Sequence, residues 1–243
     1  MEVQSKRTLT NLERLEDSTG PCYNLDLLIK AATIGLPKCE EIISDYSEVH
    51  KDDVTIVNRL WTCQGLRRIH LERAITPKFE ILHSVFWPDP NYDLPVFGCD
   101  IVVAGGNVTA AIVDISPFHK QLDYMYDDIR DVSNQYNFDG VRHLPEWGDV
   151  FSPYCKFQRL KNGSEIDKFY KCTREYIKIY TQMVRESQED IEWLDVLRRY
   201  DDQLYYVNQQ RKNTKTKAVL SQWFDTSWAN TYIEQVLFDK PKL

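Results

Sequence analysis

The sequence lacks the motifs of several large functional classes. Its six cysteines form no C-x-x-C pair, which argues against a zinc or iron–sulfur site held by this chain. No apolar run approaches the roughly 20 residues that a membrane-spanning helix requires. The formal net charge is −7, which argues against general nucleic-acid binding but leaves room for a local basic patch.

The start of the sequence also lacks the apolar stretch of a secretory signal. Residues 1–20 are polar and alternate in charge, which predicts a loosely ordered N-terminus. Scattered cysteines without such a signal are typical of a reducing compartment, so we expect a cytoplasmic protein. The 243 residues contain no internal repeat and no low-complexity linker, which predicts one domain over residues 1–243.

The spacing of the apolar residues changes twice along the chain. Residues 24–36 have helical spacing, and five segments of period two follow, which predicts five successive strands. Their sequences are VTIVNRLWTC, LRRIHLERAI, FEILHSVFWP, PVFGCDIVVAG and NVTAAIVDIS. The connections are too short for parallel crossovers, so an antiparallel sheet is predicted. Helices are predicted at 165–187, 189–209, 215–224 and 226–237. Strands followed by helices indicate the α+β class.

The second and third predicted strands carry two histidines and a glutamate. Side chains of a strand alternate between its faces, so His70 and Glu72 share one face. A four-residue loop at 75–78 would place His70 directly opposite His83. The three ionisable groups are then expected on one face of the sheet.

The fourth predicted strand adds an acid to that face. A two-residue turn at Gly105-Gly106 would place Asp100 opposite Ala111, with Thr109 on the same face. Ionisable groups among apolar neighbours are costly unless they are paired or have shifted pKa values, and such a cluster suits proton transfer. Structural histidines with a solvated acid, or a metal site, are the alternative interpretations.

A second polar segment, residues 209–217, lies between predicted helices and is rich in lysine. Asn213-Thr214 has the composition of a helix cap. The segment is either a solvated basic loop or a contact for an anion or an acidic partner, and Arg67 and Arg68 would extend such a patch.

Several long segments resemble one enzyme family in the same order, from about residue 53 to the C-terminus. They are LRRIHLERA, FEILHSVFWPDPNYDLPVFGCDIVVAGGNVTAAIVDISP, HLPEWGDVFSPYC, YYVNQQRKNTKTKAVL and WANTYIEQVLFD. On these segments the chain resembles the ferredoxin-dependent bilin reductases, and most nearly their phycocyanobilin-forming branch. The first fifty residues resemble the family only weakly.

The resemblance implies a fold and a set of partners. The fold would be a three-layer α/β/α sandwich, with biliverdin IXα between a central antiparallel sheet and the C-terminal helices. No metal or organic cofactor would be bound. Electrons would arrive one at a time from a reduced [2Fe-2S] ferredoxin, and the chain, acting as a monomer, would pass its product to bilin acceptors. Ferredoxin is acidic, so its docking residues are expected among Arg67, Arg68, Arg211, Lys212 and Lys217.

The resemblance also assigns catalytic roles. Asp100 matches the central proton donor beneath the bilin, and His83 matches the catalytic histidine. His70 and Glu72 match the family's H-L-E pair, whose glutamate is implicated in reduction of the D-ring vinyl group.

The expected substrate-binding residues lie in three other segments. Arg142 and Lys215 would bind propionates, and Thr109 is a hydroxyl where the family has serine. Asn213 and Thr214 belong to the family's N-D-K-T segment.

Thr214 departs from the family, which has an aspartate at this position. A threonine hydroxyl cannot deliver a proton as a carboxylic acid can near neutral pH. This difference favours phycoerythrobilin, formed through 15,16-dihydrobiliverdin as in a virus-associated branch, over phycocyanobilin. Retention of Glu72 points back to phycocyanobilin. A bilin-binding carrier without catalysis is the alternative from another class.

Overall fold

The computed structural model describes residues 20–118 and 126–243, so the prediction of a loosely ordered N-terminus falls almost wholly outside the described residues. Its centre is an eight-stranded antiparallel sheet. Within these two ranges, no helix combines the length and apolar character needed to cross a membrane.

The five long strands match the five predicted segments closely. The strands in chain order are β1 (Glu40–Ile42), β2 (Glu48–Lys51), β3 (Val54–Cys63), β4 (Leu66–Ile75), β5 (Phe79–Pro88), β6 (Val96–Ala104), β7 (Asn107–Ser116) and β8 (Lys156–Gln158). Strands β3 to β7 are consecutive neighbours in the sheet, while β1 and β2 both pair with the outer edge of β3, and β8 pairs with β7. The sequence analysis missed β1, β2 and β8 because three or four residues are too few to show alternation.

Six α-helices in the described part of the chain cover the sheet. They are α1 (Pro21–Ile34), α2 (Asp127–Gln135), α3 (Gly163–Glu186), α4 (Trp193–Gln210), α5 (Thr214–Trp223) and α6 (Thr226–Tyr232). A 3₁₀ turn at Glu146–Val150 and a π turn at Ile233–Leu237 complete the helical elements. Side-chain caps begin three helices: Asn162 begins α3, Asn213 begins α5 and Asp225 begins α6. The predicted helix at 226–237 divides where α6 passes into the π turn.

The helices form two separate layers, one on each face of the sheet. The first layer contains α1, α2 and α3, and its core includes Phe86, Phe97 and Tyr180. The second layer contains α4, α5, α6 and the π turn, and its core includes Trp87 and Val236. The α+β class and the three-layer α/β/α sandwich are therefore confirmed.

The two faces of the sheet differ in polarity. The face under α1 and α3 is filled mainly by aliphatic and aromatic side chains, and its buried Arg73 is ion-paired with Glu80 at 2.6 Å. The face under α6 carries apolar side chains at its margins but also His70, Glu72 and Asn58, all of them buried. Buried polar groups require partners, so this second face is where a functional site is expected.

Candidate active site

Three ionisable side chains form a row across the middle of the sheet. Glu72 on β4 is paired in register with His83 on β5, and His83 is paired with Asp100 on β6. Directly paired residues project from the same face with their Cβ atoms about 5 Å apart. The row therefore brings two acids to the two sides of one imidazole. The predicted common face of these three residues is confirmed.

The register differs from the predicted one by two residues. The amide of Thr76 donates to the carbonyl of Phe79 at 2.8 Å, so the β4–β5 turn has two central residues and not four. His83 therefore lies opposite Glu72, and the prediction that it lies opposite His70 is wrong. A shift of two residues leaves every side chain on its face, and the two imidazole rings still meet edge to face with centroids 5.6 Å apart.

His83 and Asp100 form a hydrogen-bonded ion pair. The Nδ1 atom of His83 lies 2.5 Å from Oδ1 of Asp100. Burial is the largest influence on the His83 pKa and lowers it, but attraction by Asp100, the hydrogen bond and Glu72 together raise it above its ordinary value. The Asp100 side chain is 41% exposed and that of His83 only 16%, so the pair links the interior to the surface.

The buried end of the site is a hydrogen-bond chain that sequence analysis missed. The Nε2 atom of His70 lies 2.7 Å from Oδ1 of Asn58. The Tyr232 hydroxyl, at the end of α6, lies 2.8 Å from the same oxygen and 2.5 Å from Oε2 of Glu72. One signal was available for Asn58, because it is the polar residue in the otherwise apolar inward series of β3. No comparable signal marks Tyr232.

Burial shifts the pKa values of His70 and Glu72 on β4 toward their neutral forms. Burial lowers the pKa of His70 well below its ordinary value, and the neighbouring Arg68 and His83 lower it further. Burial raises the pKa of Glu72 against the opposing attraction of His83. His70 is therefore neutral at neutral pH.

The sheet is more open around Asp100 than around His70. On β6, Gly98 has nothing within 4 Å of the position its Cβ would occupy, and Val102 is only half-buried. On β7, Ala110 and Ile112 are also half-buried. A flat apolar ligand laid over these two strands would contact the Asp100 carboxyl directly.

A bulge on β7 changes the predicted pairing of Asp100. The Gly105-Gly106 turn has positive φ at both residues and pairs Ala104 with Asn107 as expected. The register then shifts after Val103, so Asp100 lies opposite Ile112, and the predicted pairing with Ala111 is wrong.

Thr109 lies within the bulge and is brought together with Arg142. The Thr109 hydroxyl donates to the Val102 carbonyl at 3.2 Å, and its own carbonyl accepts from Nη1 of Arg142 at 2.5 Å. The Arg142 guanidinium also lies 4.9 Å from the centroid of the Phe157 ring. These contacts fix a cation beside the open part of β7.

The segment around Thr214 is placed by the start of α5. The Asn213 side chain accepts from the amides of Lys215 and Thr216 at 3.1 and 3.3 Å. The side chains of Thr214 and Lys215 are exposed. Within residues 20–118 and 126–243, no hydrogen bond or ion pair joins this segment to Asp100 or Arg142, so the structure does not bring the two groups together.

The expected docking cations divide into two kinds. Lys212 and Lys217 are exposed. The other three bind the C-terminal segment: Arg67 pairs with Asp239 at 2.8 Å, Arg68 donates to carbonyls of the π turn, and Arg211 donates to the Phe238 carbonyl.

The described residues contain no group of three or more His, Cys, Asp and Glu side chains arranged to hold a metal ion.

A model of the ferredoxin-dependent bilin reductase family matches residues 34–239, which is most of the sequence. This chain belongs to the ferredoxin-dependent bilin reductases. The resemblance inferred from the sequence is thereby confirmed.

The relatives of this bilin reductase include two curated cyanobacterial enzymes. Phycocyanobilin:ferredoxin oxidoreductase of Prochlorococcus marinus (strain MIT 9515) is 39% identical over 229 residues, which are 94% of this chain and 93% of the relative. The enzyme of that name from Synechococcus sp. (strain CC9605) is 37% identical over 222 residues, 88% of this chain and 90% of the relative. The bilin reductase described here is accordingly an oxidoreductase that depends on ferredoxin.

A solved structure with the same fold is phytochromobilin synthase from tomato in complex with biliverdin. It aligns with a TM-score of 0.74 over 88% of this chain and 81% of the other, at 14% identity. At that identity the likeness supports the fold of the bilin reductase and not the role of any residue.

Proposed function

We propose that this reductase reduces biliverdin IXα by four electrons, taken one at a time from a reduced [2Fe-2S] ferredoxin, while its own side chains protonate the bilin radicals. The observation that carries the proposal is the Glu72–His83–Asp100 row, which runs from a buried acid to a half-exposed one. Each of the two reductions consumes two electrons and two protons. A row of paired acids and an imidazole supplies the proton half of that requirement.

The bilin is proposed to lie flat over β6 and β7, with its central methine bridge above Asp100. Asp100 protonates that bridge, and His83 holds the carboxyl in place and returns a proton to it through their 2.5 Å hydrogen bond. Glu72 serves the D-ring end, and His70 supports it from the buried side.

The propionates and lactam groups are proposed to bind at the margins of the sheet. Arg142 lies beside the open part of β7 and is the propionate-binding residue there, next to the Thr109 hydroxyl. Lys215 is an exposed point charge for the second propionate, and Asn213 fixes the turn that presents it.

The product is proposed to be phycoerythrobilin, formed through 15,16-dihydrobiliverdin. Thr214 supplies a hydroxyl where the family pattern has an acid, which removes a proton donor from one end of the bilin. The second candidate is phycocyanobilin. It is favoured by Glu72, held at 2.5 Å from the Tyr232 hydroxyl, and by the names of the two cyanobacterial relatives.

The setting is proposed to be the cytoplasm of a cyanobacterium or of a virus-infected host, with the chain as a monomeric single domain. Ferredoxin is proposed to dock at the exposed Lys212 and Lys217, and Arg67, Arg68 and Arg211 are proposed as further docking residues. Bilin acceptor proteins would take up the product.

An anaerobic assay with biliverdin, ferredoxin and an electron source tests the reaction. The expected result is progressive loss of the biliverdin absorption, with chromatography showing phycoerythrobilin against authentic standards. An absorption spectrum unchanged after many turnover times would support the non-catalytic carrier instead. Phycocyanobilin as the sole product would keep the reductase assignment and overturn the proposed product.

A further inference from the structure

The Asn58 amide has a fixed orientation. Its Nδ2 atom donates to the backbone carbonyl of Tyr46 at 2.7 Å. The reversed amide would place two carbonyl oxygens against each other, which is repulsive. Oδ1 of Asn58 therefore points into the site, and a carbonyl oxygen only accepts hydrogen bonds.

This orientation determines which atoms carry hydrogen around Asn58. His70 and Tyr232 approach Oδ1 to 2.7 and 2.8 Å, so each must donate to it. The imidazole of His70 is consequently protonated on Nε2. The single hydroxyl hydrogen of Tyr232 is used in its bond to Asn58.

Glu72 then has to supply the hydrogen of the remaining contact. Its Oε2 atom lies 2.5 Å from the Tyr232 hydroxyl oxygen, at the short end of the range for an O–H···O hydrogen bond, so one hydrogen lies between the two oxygens. We propose that Glu72 is protonated at neutral pH and donates to Tyr232, and that Tyr232 and Asn58 are positioning residues that keep this proton on Glu72. The opposite polarity would leave the Tyr232 and Asn58 oxygens 2.8 Å apart with no hydrogen between them.

The charges around Glu72 are compatible with a neutral acid. His70 on the same strand is neutral, and burial raises the pKa of Glu72. Asp100, beyond His83 on β6, also raises that pKa, whereas attraction by His83 and a hydrogen bond donated by Tyr232 to the carboxylate would lower it.

Two cationic side chains, His83 and Arg68, lie near Glu72, but both are hydrogen-bonded to other acceptors. His83 on β5 is bonded to Asp100, and Arg68 on β4 is bonded to Asp239 and to carbonyls of the π turn. His83 still attracts the Glu72 carboxylate, so the neutral state depends on burial and on the hydrogen-bond directions around Asn58.

The consequence for catalysis rests on the proposed function. Glu72 would hold a stored proton in a dry part of the site, one strand from His83 and two from Asp100. Such a proton is available to a bilin radical without exchange with bulk water. The protonation state itself does not depend on the bilin or on turnover.

Infrared difference spectroscopy on the ligand-free protein tests the protonation state directly. Wild type minus Glu72→Gln at neutral pH should contain the carbonyl stretch of a protonated carboxylic acid, and this band should shift in D₂O. Subtracting the Gln variant is necessary because Asp114 is a second buried acid with a raised pKa. Only carboxylate bands in the difference spectrum would overturn the proposal.

Two variants test the part played by the hydrogen-bond chain. Asn58→Leu removes the acceptor that holds the Tyr232 hydrogen, so that hydrogen should turn to Glu72 and the acid band should titrate away at lower pH than in wild type. Tyr232→Phe removes the acceptor of the Glu72 proton and should shift the band. Tyr206→Phe, a buried tyrosine beside Ser116, is the matched control and should leave the band unchanged. An unshifted titration in Asn58→Leu would overturn the roles of Asn58 and Tyr232.

The outcomes separate this inference from the proposed function. The acid band without biliverdin reduction would leave the inference standing and refute the enzymatic proposal. Reduction of biliverdin without the acid band would refute the inference alone.

Discussion

His83 and Asp100 face each other in register on neighbouring strands, with Nδ1 and Oδ1 2.5 Å apart. The Asp100 side chain is 41% exposed, whereas the neighbouring His83 imidazole is largely buried. A charge-assisted hydrogen bond of this length couples the protonation of the two groups. In the proposed reaction the exposed acid contacts the bilin, and the imidazole retains or returns the proton.

Removing the Asp100 charge should change both the His83 pKa and catalysis. Asp100→Asn leaves burial as the dominant influence on His83, so the His83 pKa should fall below its wild-type value in an NMR titration. Biliverdin should still bind, while reduction should slow by about 10²–10⁴-fold, the usual contribution of a general acid. Normal turnover of this variant would refute the central-acid role.

Charge reversal should separate ferredoxin docking from structural pairing. Lys212→Glu and Lys217→Glu should each raise the KM for ferredoxin by roughly tenfold at low ionic strength, because steering of an acidic partner is lost, and salt should reduce the difference. Lys78→Glu, at the exposed tip of the β4–β5 hairpin, is the matched control. An equal KM change in the control would argue against a local docking surface.

Arg211 should behave differently from the two lysines. It donates to the carbonyls of Glu234 and Phe238, so Arg211→Ala leaves these groups without their partner. The free energy of unfolding should fall by about 1–3 kcal/mol in denaturant titrations. A variant with wild-type stability but weakened ferredoxin binding would assign Arg211 to docking instead.

The faces of the catalytic strands were predictable from sequence, but their registers were not. Alternation, together with turns of even length, places His70, Glu72, His83 and Asp100 on one side, and a slip of two residues does not alter that. The slip depends on the length of the β4–β5 turn. The sequence Thr76-Pro77-Lys78 does not show that this turn has two central residues. The bulge at Thr109 has no sequence signal either.

The buried half of the site was beyond sequence analysis for a different reason. Tyr232 and Glu72 are 160 residues apart in the sequence but are joined by a hydrogen bond. This hydrogen bond exists only because α6 packs on the second face of the sheet. Periodicity predicts that α6 forms, but it does not fix where the helix lies on the sheet. The segments that resemble the family include Tyr232 without distinguishing it from a core aromatic.

The pH dependence of the free energy of unfolding should reflect the neutral state of His70. Its folded pKa is depressed by burial, so the unfolded chain binds the proton first as pH falls below about 6.5. Wild type should then lose up to about 1.4 kcal/mol per pH unit relative to His70→Gln, whose amide donates to Asn58 but does not titrate. Denaturant titrations between neutral and mildly acidic pH measure this difference, and parallel stability curves would show that the fold does not depress the His70 pKa.

The product should depend on residue 214. Thr214→Asp restores an acid at the exposed start of α5, and Asn213 should still cap that helix, so the change adds a proton donor with little effect on the fold. We expect the product mixture to move from phycoerythrobilin toward phycocyanobilin, measured by chromatography after complete anaerobic turnover. Thr214→Asn, which has similar size but no titratable proton, is the control and should keep the wild-type mixture. If both variants give that mixture, residue 214 does not select the bilin double bond, and the proton supply must lie with Asp100 and Glu72.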